Sequence, residues 1–335
     1  MKLGLAYDLK KDVTVGQSYP EDALEEYDSL ETVDGITCVL ESLGHSVVRL
    51  GGGREFLNNI LHNEVDFIFN ISEGRGNYRS REAQVPSVLE MLNIPYSGAD
   101  PQCLAICLDK PLTNQLVAAA GVGVPRCQVV NNRSELSEVN WEGFPFPAFV
   151  KPVHEGSSKG VRIKSRIESQ SEIVSVVGAL LDAYRQSVMV EEFIAGDEVT
   201  VGIVGNRPPA VVGIMRIVPR QKSPNFVYSL EVKRDWERLV EYECPARLEP
   251  GVAQKITDFS LKAYAVLGCR DFARIDFRIR TDGTLYFLEI NPLAGLNPRS
   301  SDLCILAGKV GWSYQALISG ILNAGLDRYP QCIRK

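Results

Sequence analysis

Histidine is nearly absent from this sequence. Its 335 residues hold three, His45, His62 and His154, and no two are neighbours. That argues against a histidine-based metal site and against a Ser-His-Asp triad. The eight cysteines are scattered and form no CxxC pair. Cys103 and Cys107 share a helix face, but nothing near them in sequence completes a zinc site, so they read as core thiols of a reducing compartment. Positive charge is also short. A net charge of −6 and a pI near 5.4 advertise no nucleic-acid surface. No apolar run approaches a membrane span, and the opening stretch is too short for a secretory signal. A cytoplasmic chain without nucleic-acid or membrane partners is therefore expected. Internal repeats, low-complexity segments and a Walker A loop are missing as well.

What is present is ordinary in amount and specific in arrangement. The length suits two or three modest domains with sizeable cores. Residues 272–301 hold the clearest pattern. Ala273, Ile275, Phe277 and Ile279 alternate with Arg274, Asp276, Arg278 and Arg280, as in a half-buried strand. Asp282-Gly283 then reads as a two-residue hairpin turn, with 285–291 as the return strand. That turn pairs Thr281 with Thr284, so Asp276 faces Glu289 and Arg274 faces Asn291. The apolar face then sets Ile275, Phe277 and Ile279 against Ile290, Leu288 and Tyr286. Opposed carboxylates repel, so a cation belongs between them or one holds a proton. Either Arg274 or Arg278 neutralises the pair, or Asp276, Glu289 and Asn291 hold a divalent ion through hard oxygen ligands.

Upstream, strands at 3–7, 46–50 and 65–71 alternate with helices that begin at an Asp28 cap and at Glu55, which predicts a parallel sheet. Residues 9–26 read as a long polar loop, and 73–82 as a charged loop at a strand's carboxyl end, where open α/β sheets bind ligands. Asp100-Pro101 opens a helix that Asp109-Lys110-Pro111 interrupts. Strands at 149–152 and 161–164 flank the segment 154–160, whose glycines, serines and lysine suit a phosphate cover. Further helices are expected at 169–184, 250–267 and 313–324. Residues 225–243 resist assignment.

These pieces together resemble the D-alanine–D-alanine ligase family of the ATP-grasp superfamily. The likeness rests on Leu108-Asp109-Lys110, on Val150-Lys151-Pro152 followed by Glu155-Gly156-Ser157-Ser158-x-Gly160, and on Val190-Glu191-Glu192-Phe193-Ile194-x-Gly196-x-Glu198. Arg274-Ile275-Asp276 and Glu289-x-Asn291 leading to Gly295 complete the series. It implies an α/β ATP-grasp fold in three parts: 1–98 on the substrate side, 99–190 as a central subdomain, and 191–335 as a C-terminal subdomain. ATP would sit between the last two. By the same resemblance, Lys110 and Lys151 hold ATP phosphates, with Glu155, Gly156, Ser157 and Ser158 covering them. Glu191, Glu192, Phe193 and Ile194 line the adenine pocket, and Glu198 reaches the ribose. Asp276, Glu289 and Asn291 ligate two Mg²⁺ ions, with Mn²⁺ as a substitute. Arg274, Ser157 and Gly295 serve the reaction, and Lys233 belongs to a loop that closes over it.

The implied activity is ATP-dependent ligation of an amino-acid or small carboxylate to an amine through an acyl phosphate, with a cell-wall role and a homodimer by family analogy. The substrate side departs from the family. Arg234 stands for a tyrosine, Arg299 for a histidine and Ser301 for a leucine. Ser300 would hold a carboxylate, and Glu25 is the match for the residue that binds the first amino group. With Arg75, Arg79 and Arg81, these changes suit either a more anionic or larger substrate or a solvated rim balancing Glu73, Glu82 and Glu231. They also leave open a ligase of secondary metabolism, or a kinase or acyl-phosphate enzyme on the same scaffold.

Overall fold

The computed structural model describes residues 1–14, 16, 19–221 and 226–333. Asn225, the first residue of the expected closing loop, lies outside the described residues, as do Val15, Gln17 and Ser18 of the loop 9–26.

The first third forms β1 (Lys2–Ala6), α1 (Leu30–Ser42), β2 (Ser46–Gly51), α2 (Gly53–His62), β3 (Phe67–Asn70) and α3 (Gln84–Met91). The strands make a parallel sheet of order β2-β1-β3. Ser29, not Asp28, occupies the N-cap position of α1. Asp28 is used otherwise: its N–H donates to the Asp8 carbonyl and its carbonyl accepts from the Lys10 N–H. Its carboxylate is thereby released from capping.

Then come α4 (Pro101–Leu108), α5 (Lys110–Ala119), β4 (Cys127–Val130), β5 (Ala148–Pro152), β6 (Arg166–Ile167), α6 (Ile173–Tyr184) and β7 (Val188–Glu192). Asp100 and Asp109 each cap a helix, accepting from the N–H groups of Cys103 and Leu112. The strands form an antiparallel sheet, β4-β7-β5-β6. The strand expected at 161–164 is absent. Residues 163–165 make a 3₁₀ turn, and the strand is Arg166–Ile167. The backbone before it is engaged elsewhere: the Gly160 N–H donates to Asp22, and the Val161 carbonyl accepts from Leu230.

The last part holds β8 (Gly196–Val204), β9 (Ala210–Pro219), α7 (Leu230–Arg234), α8 (Trp236–Leu239), β10 (Val240–Glu243) and α9 (Pro250–Val266). It ends with β11 (Phe272–Arg280), β12 (Leu285–Asn291), α10 (Asp302–Lys309), α11 (Tyr314–Asp327) and α12 (Pro330–Ile333). Its sheet is β10-β9-β8-β11-β12.

The cores cut across the expected boundaries. Leu303, Leu317 and Ile321 of α10 and α11 bury with Leu3 and Phe67 of the first sheet and Val33 of α1. Leu104 and Val117 of α4 and α5 bury with Val199, Ile275 and Phe277 of the five-stranded sheet. A break at 190/191 would fall inside β7.

The β11–β12 hairpin keeps the expected pairing where the polar residues lie and loses it near the turn. Asp276 faces Glu289 and Arg274 faces Asn291, but Phe277 faces Phe287 and Ile279 faces Leu285. Two offsets explain this. The Arg280 N–H bonds to the Thr284 carbonyl, so the loop is the three residues 281–283, with Gly283 at φ 82°. A bulge opposite Asp276 and Phe277 then returns the register. As a result Leu288 lies beside Glu289 on the cleft side, and Phe287 fills the apolar layer edge-on to Phe277 with ring centroids 5.8 Å apart. Among the described residues, no helix is long and apolar enough to cross a membrane.

Candidate active site

A cleft lies between the four-stranded and five-stranded sheets. β5 and β7 bring Lys151 and Glu191 to one wall; β8, β11 and β12 bring Glu198, Asp276 and Glu289 to the other. Lys110, from the first turn of α5, reaches its inner end. Of the expected nucleotide residues, Lys110, Lys151, Glu155, Ser158, Glu191, Glu192, Phe193, Ile194 and Glu198 all line it, together with Lys233 from α7.

Its buried carboxylates are paired. Glu191 accepts from Lys151 at 2.7 Å, Glu198 from Arg278 at 2.7 Å, and Glu192 from Arg280 at 2.5 Å. Arg278 thus serves Glu198 and, with its guanidinium 5.4 Å from the Phe193 ring centroid, the cleft wall; it is not the cation beside Asp276. Arg274 fills that place, 2.9 Å from Asp276 and 3.5 Å from Glu289, with Asp302 3.7 Å away on its other side. Thr200 also bonds Asp276.

Burial alone would raise the Glu289 pKa. Lys110, Arg274, Lys151 and Lys233 override it and hold the carboxyl at about 2. For Asp276 burial wins, and its pKa is raised despite Arg274. Burial lowers the Lys110 pKa as well; in Lys151 burial is opposed by Glu191 and Glu289, which together raise it.

A second, smaller cavity of about 70 Å³ opens beside the cleft and shares Lys110, Glu155 and Glu289 with it. Gly156, Ser157, Arg274, Asn291 and Gly295 line it as well. Ser157 and Ser158 sit at φ 51° and 59°, a left-handed pair that side chains rarely adopt and that stores strain where the two spaces meet. Gly160 is fixed by space: a Cβ there would lie 2.5 Å from the Pro152 ring.

The expected amino-acid residues are placed differently. Glu25 does not line this cavity; it faces out and pairs with Arg234 at 2.5 Å and Lys10 at 3.3 Å. Its neighbour Glu26 faces in. Arg299 is exposed and pairs with Glu31 at 2.8 Å. Ser300 and Ser301 line neither space. The Ser300 N–H donates to Asn297, and the Ser301 hydroxyl accepts from the Asn297 N–H. Both belong to a turn that Asn297 ties to Ser29, Glu31 and Thr32 at the start of α1.

The sequence did not reveal a buried charge cluster behind the cavity. Arg81, 1 % exposed, donates to Glu26 at 2.6 Å and lies 3.4 Å from Glu155. Lys159 donates to Glu26 at 2.9 Å and also pairs with Glu155. Its signals were the lysine of the 154–160 segment, read there as part of a phosphate cover, and Arg81, left open between an anionic or larger substrate and a solvated rim.

The comparisons agree with the cleft. The family described as "D-ala D-ala ligase C-terminus" matches residues 116–323. A D-alanine–D-alanine ligase of Aquifex aeolicus (strain VF5) is 33% identical over 297 residues, spanning 88% of this chain and 94% of that protein. A crystal structure of the D-alanine–D-alanine ligase from Bacillus anthracis complexed with ATP superposes with a TM-score of 0.75 at 21% identity, covering 99% of both chains. The VanG D-Ala:D-Ser ligase from Enterococcus faecalis does so with a TM-score of 0.73 at 19% identity, over 97% of this chain and 99% of that one.

Proposed function

The chain belongs to the D-alanine–D-alanine ligase family, and from that premise we infer an ATP-dependent ligase that joins an amino-acid carboxylate to an amine. One observation supports this above the rest: the cation-rich cleft and the small cavity meet at Lys110, Glu155 and Glu289, with Arg274 at the junction.

In this reading ATP occupies the cleft with its phosphates toward Lys110 and Lys151. A carboxylate held in the cavity attacks the γ-phosphorus, giving an acyl phosphate and ADP. An uncharged amine then attacks the acyl carbon. Phosphate leaves, and the nitrogen gives up a proton as the amide forms. Neither step needs a protein nucleophile; both need charge neutralised. Arg274 lies where negative charge grows on the acyl oxygens, and the Gly295 N–H belongs to the same wall. Burial depresses the Lys110 pKa, and phosphate oxygens beside it would favour its charged form. Lys233 and the left-handed serines close the opening against water, which would hydrolyse the acyl phosphate.

The donor set fits a hard divalent cation. Glu289 is held ionised, Asp276 faces it, and Asn291 donates to Glu289 through Nδ2, which leaves its oxygen for a ligand. Mg²⁺ held by these three, as two ions or with Mn²⁺ substituting, would screen the phosphate oxygens. Glu289→Gln is expected to weaken Mn²⁺ binding measured by electron paramagnetic resonance and to cut turnover about a hundredfold; unchanged binding would refute the ligand set. A homodimer is carried by family analogy, and sedimentation tests it.

The deciding experiment measures phosphate release from ATP with amino acids singly and in pairs, followed by mass spectrometry of the products. Release that needs both partners, with an amide product, is expected. Release with an acid alone, and no increase on adding an amine, would favour a kinase-like activity instead.

A further inference from the structure

The charges around the small cavity do not balance. At its reaction end Glu289 has Lys110 and Arg274. Behind it, Glu26 and Glu155 have Arg81 and Lys159. Asp28, Glu73 and Glu82 remain, all lining the same space. None makes an ion pair with a described residue. Glu82 is 8 % exposed and its carboxylate takes part in no hydrogen bond among the described residues, although the residue borders the cavity.

The arginines that suggested an anionic substrate are all engaged elsewhere. Arg75 holds Asp8 at 2.8 Å, Arg79 lies 3.6 Å from Asp109, and Arg81, Arg234 and Arg299 hold the carboxylates already described.

A buried carboxylate without a partner either takes up a proton or receives a cation from outside. Burial pushes Asp28 and Glu82 up to about 7. It pushes Glu73 well above the usual carboxylate range, with Glu82 and Glu26 adding repulsion. The three therefore gain most from a ligand that brings positive charge. One ammonium, the α-amino group of any amino acid, leaves two of them uncompensated.

We propose that the carboxylate substrate of this ligase is a diamino acid, with its carboxylate at the Arg274–Lys110 end and its two ammonium groups against Asp28, Glu73 and Glu82. This rests on the ligase reading above and names the substrate class of the same cavity. An acidic side chain there brings no positive charge to the three carboxyls, and a neutral one brings only its α-ammonium.

The test compares 2,3-diaminopropionate and 2,4-diaminobutyrate with alanine, 2-aminobutyrate and aspartate as the acid in ATP-dependent phosphate release. The diamino acids are expected to exceed the neutral ones about tenfold or more in kcat/KM, the weight of one charged buried hydrogen bond. Glu82→Gln and, independently should that variant fail to fold, Glu73→Gln are expected to lower the ratio about tenfold. Equal or better turnover of alanine or aspartate, or a ratio that survives both substitutions, overturns the proposal and leaves the ligase reading intact. Calorimetry with a non-hydrolysable ATP analogue separates the two ideas. Diamino-acid binding that Glu82→Gln weakens, without turnover of any acid, supports the cavity assignment and overturns the ligase reading.

Discussion

The cleft and the small cavity touch at three residues, yet they handle charge in opposite ways. In the cleft Glu191, Glu192, Glu198 and Asp276 each have a basic partner. In the cavity Asp28, Glu73 and Glu82 have none among the described residues. The cleft is complete before ATP arrives and donates positive charge to it. The cavity waits for positive charge to be delivered. A single enzyme thus prepares one space for an anion and the adjoining one for a cation, and Arg274 stands on the border.

Removing that border residue should have the largest effect. Arg274→Ala is expected to lower kcat about a thousandfold while thermal unfolding still shows a folded protein, since the role proposed for Arg274 is to meet charge that forms during reaction. Retained activity would erase the distinction between the two spaces. Next comes the cluster behind the cavity. Arg81→Met leaves Glu26 and Glu155 with one cation between them and should cost about 3–5 kcal/mol in urea unfolding; a loss below about 1 kcal/mol would mean the cluster is not structural.

A pH series sharpens the contrast further. Glu82 binds its proton more tightly folded than unfolded, because burial lifts its pKa from 4.5 to about 7. Its contribution is therefore full below about 4.5 and is lost as pH rises through about 7. Glu289 runs the other way: its contribution is full above 4.5 and is lost as pH falls toward about 2. Glu82→Gln should raise the unfolding midpoint at pH 8 and change it little at pH 4. An equal change at both would show that Glu82 is ionised throughout. Least affected should be Arg299→Ala. Its pairing with Glu31 is exposed, and no measurable change in stability or KM is expected; a raised KM would return Arg299 to the substrate side.

The same contrast explains what the sequence made legible. The cleft is built from short runs on strands and one hairpin, so its residues come in order with readable spacing. Lys151 and Glu191, on adjacent antiparallel strands, could be placed by motif alone. The cavity draws Glu26, Asp28, Glu73, Arg81, Glu82 and Lys159 from loops far apart in the chain, and loops carry no periodicity to fix which side chain turns inward. Glu25 and Glu26 are indistinguishable by motif; packing of Arg81 and Lys159 against Glu26 separates them. The arginines misled for a related reason: a count of charges does not reveal which charges are already spoken for. Helix α10 escaped notice because the 295–301 turn before it resembles a continuing loop, and its apolar residues complete the core of a sheet nearly 300 positions upstream.

The hairpin shows how little of a register the chemistry depends on. The pairing expected from its alternation and the pairing it adopts use the same residues. One closes through two residues with no bulge; the other closes through three and takes up the difference at Leu288. What separates them is whether Phe287 or Leu288 enters the apolar layer. The larger ring wins that place, packed against Phe277. In both registers Asp276 still meets Glu289. The turn side can therefore pair in either way while the far end keeps Asp276 against Glu289, as a cable keeps its load wherever the slack is taken up.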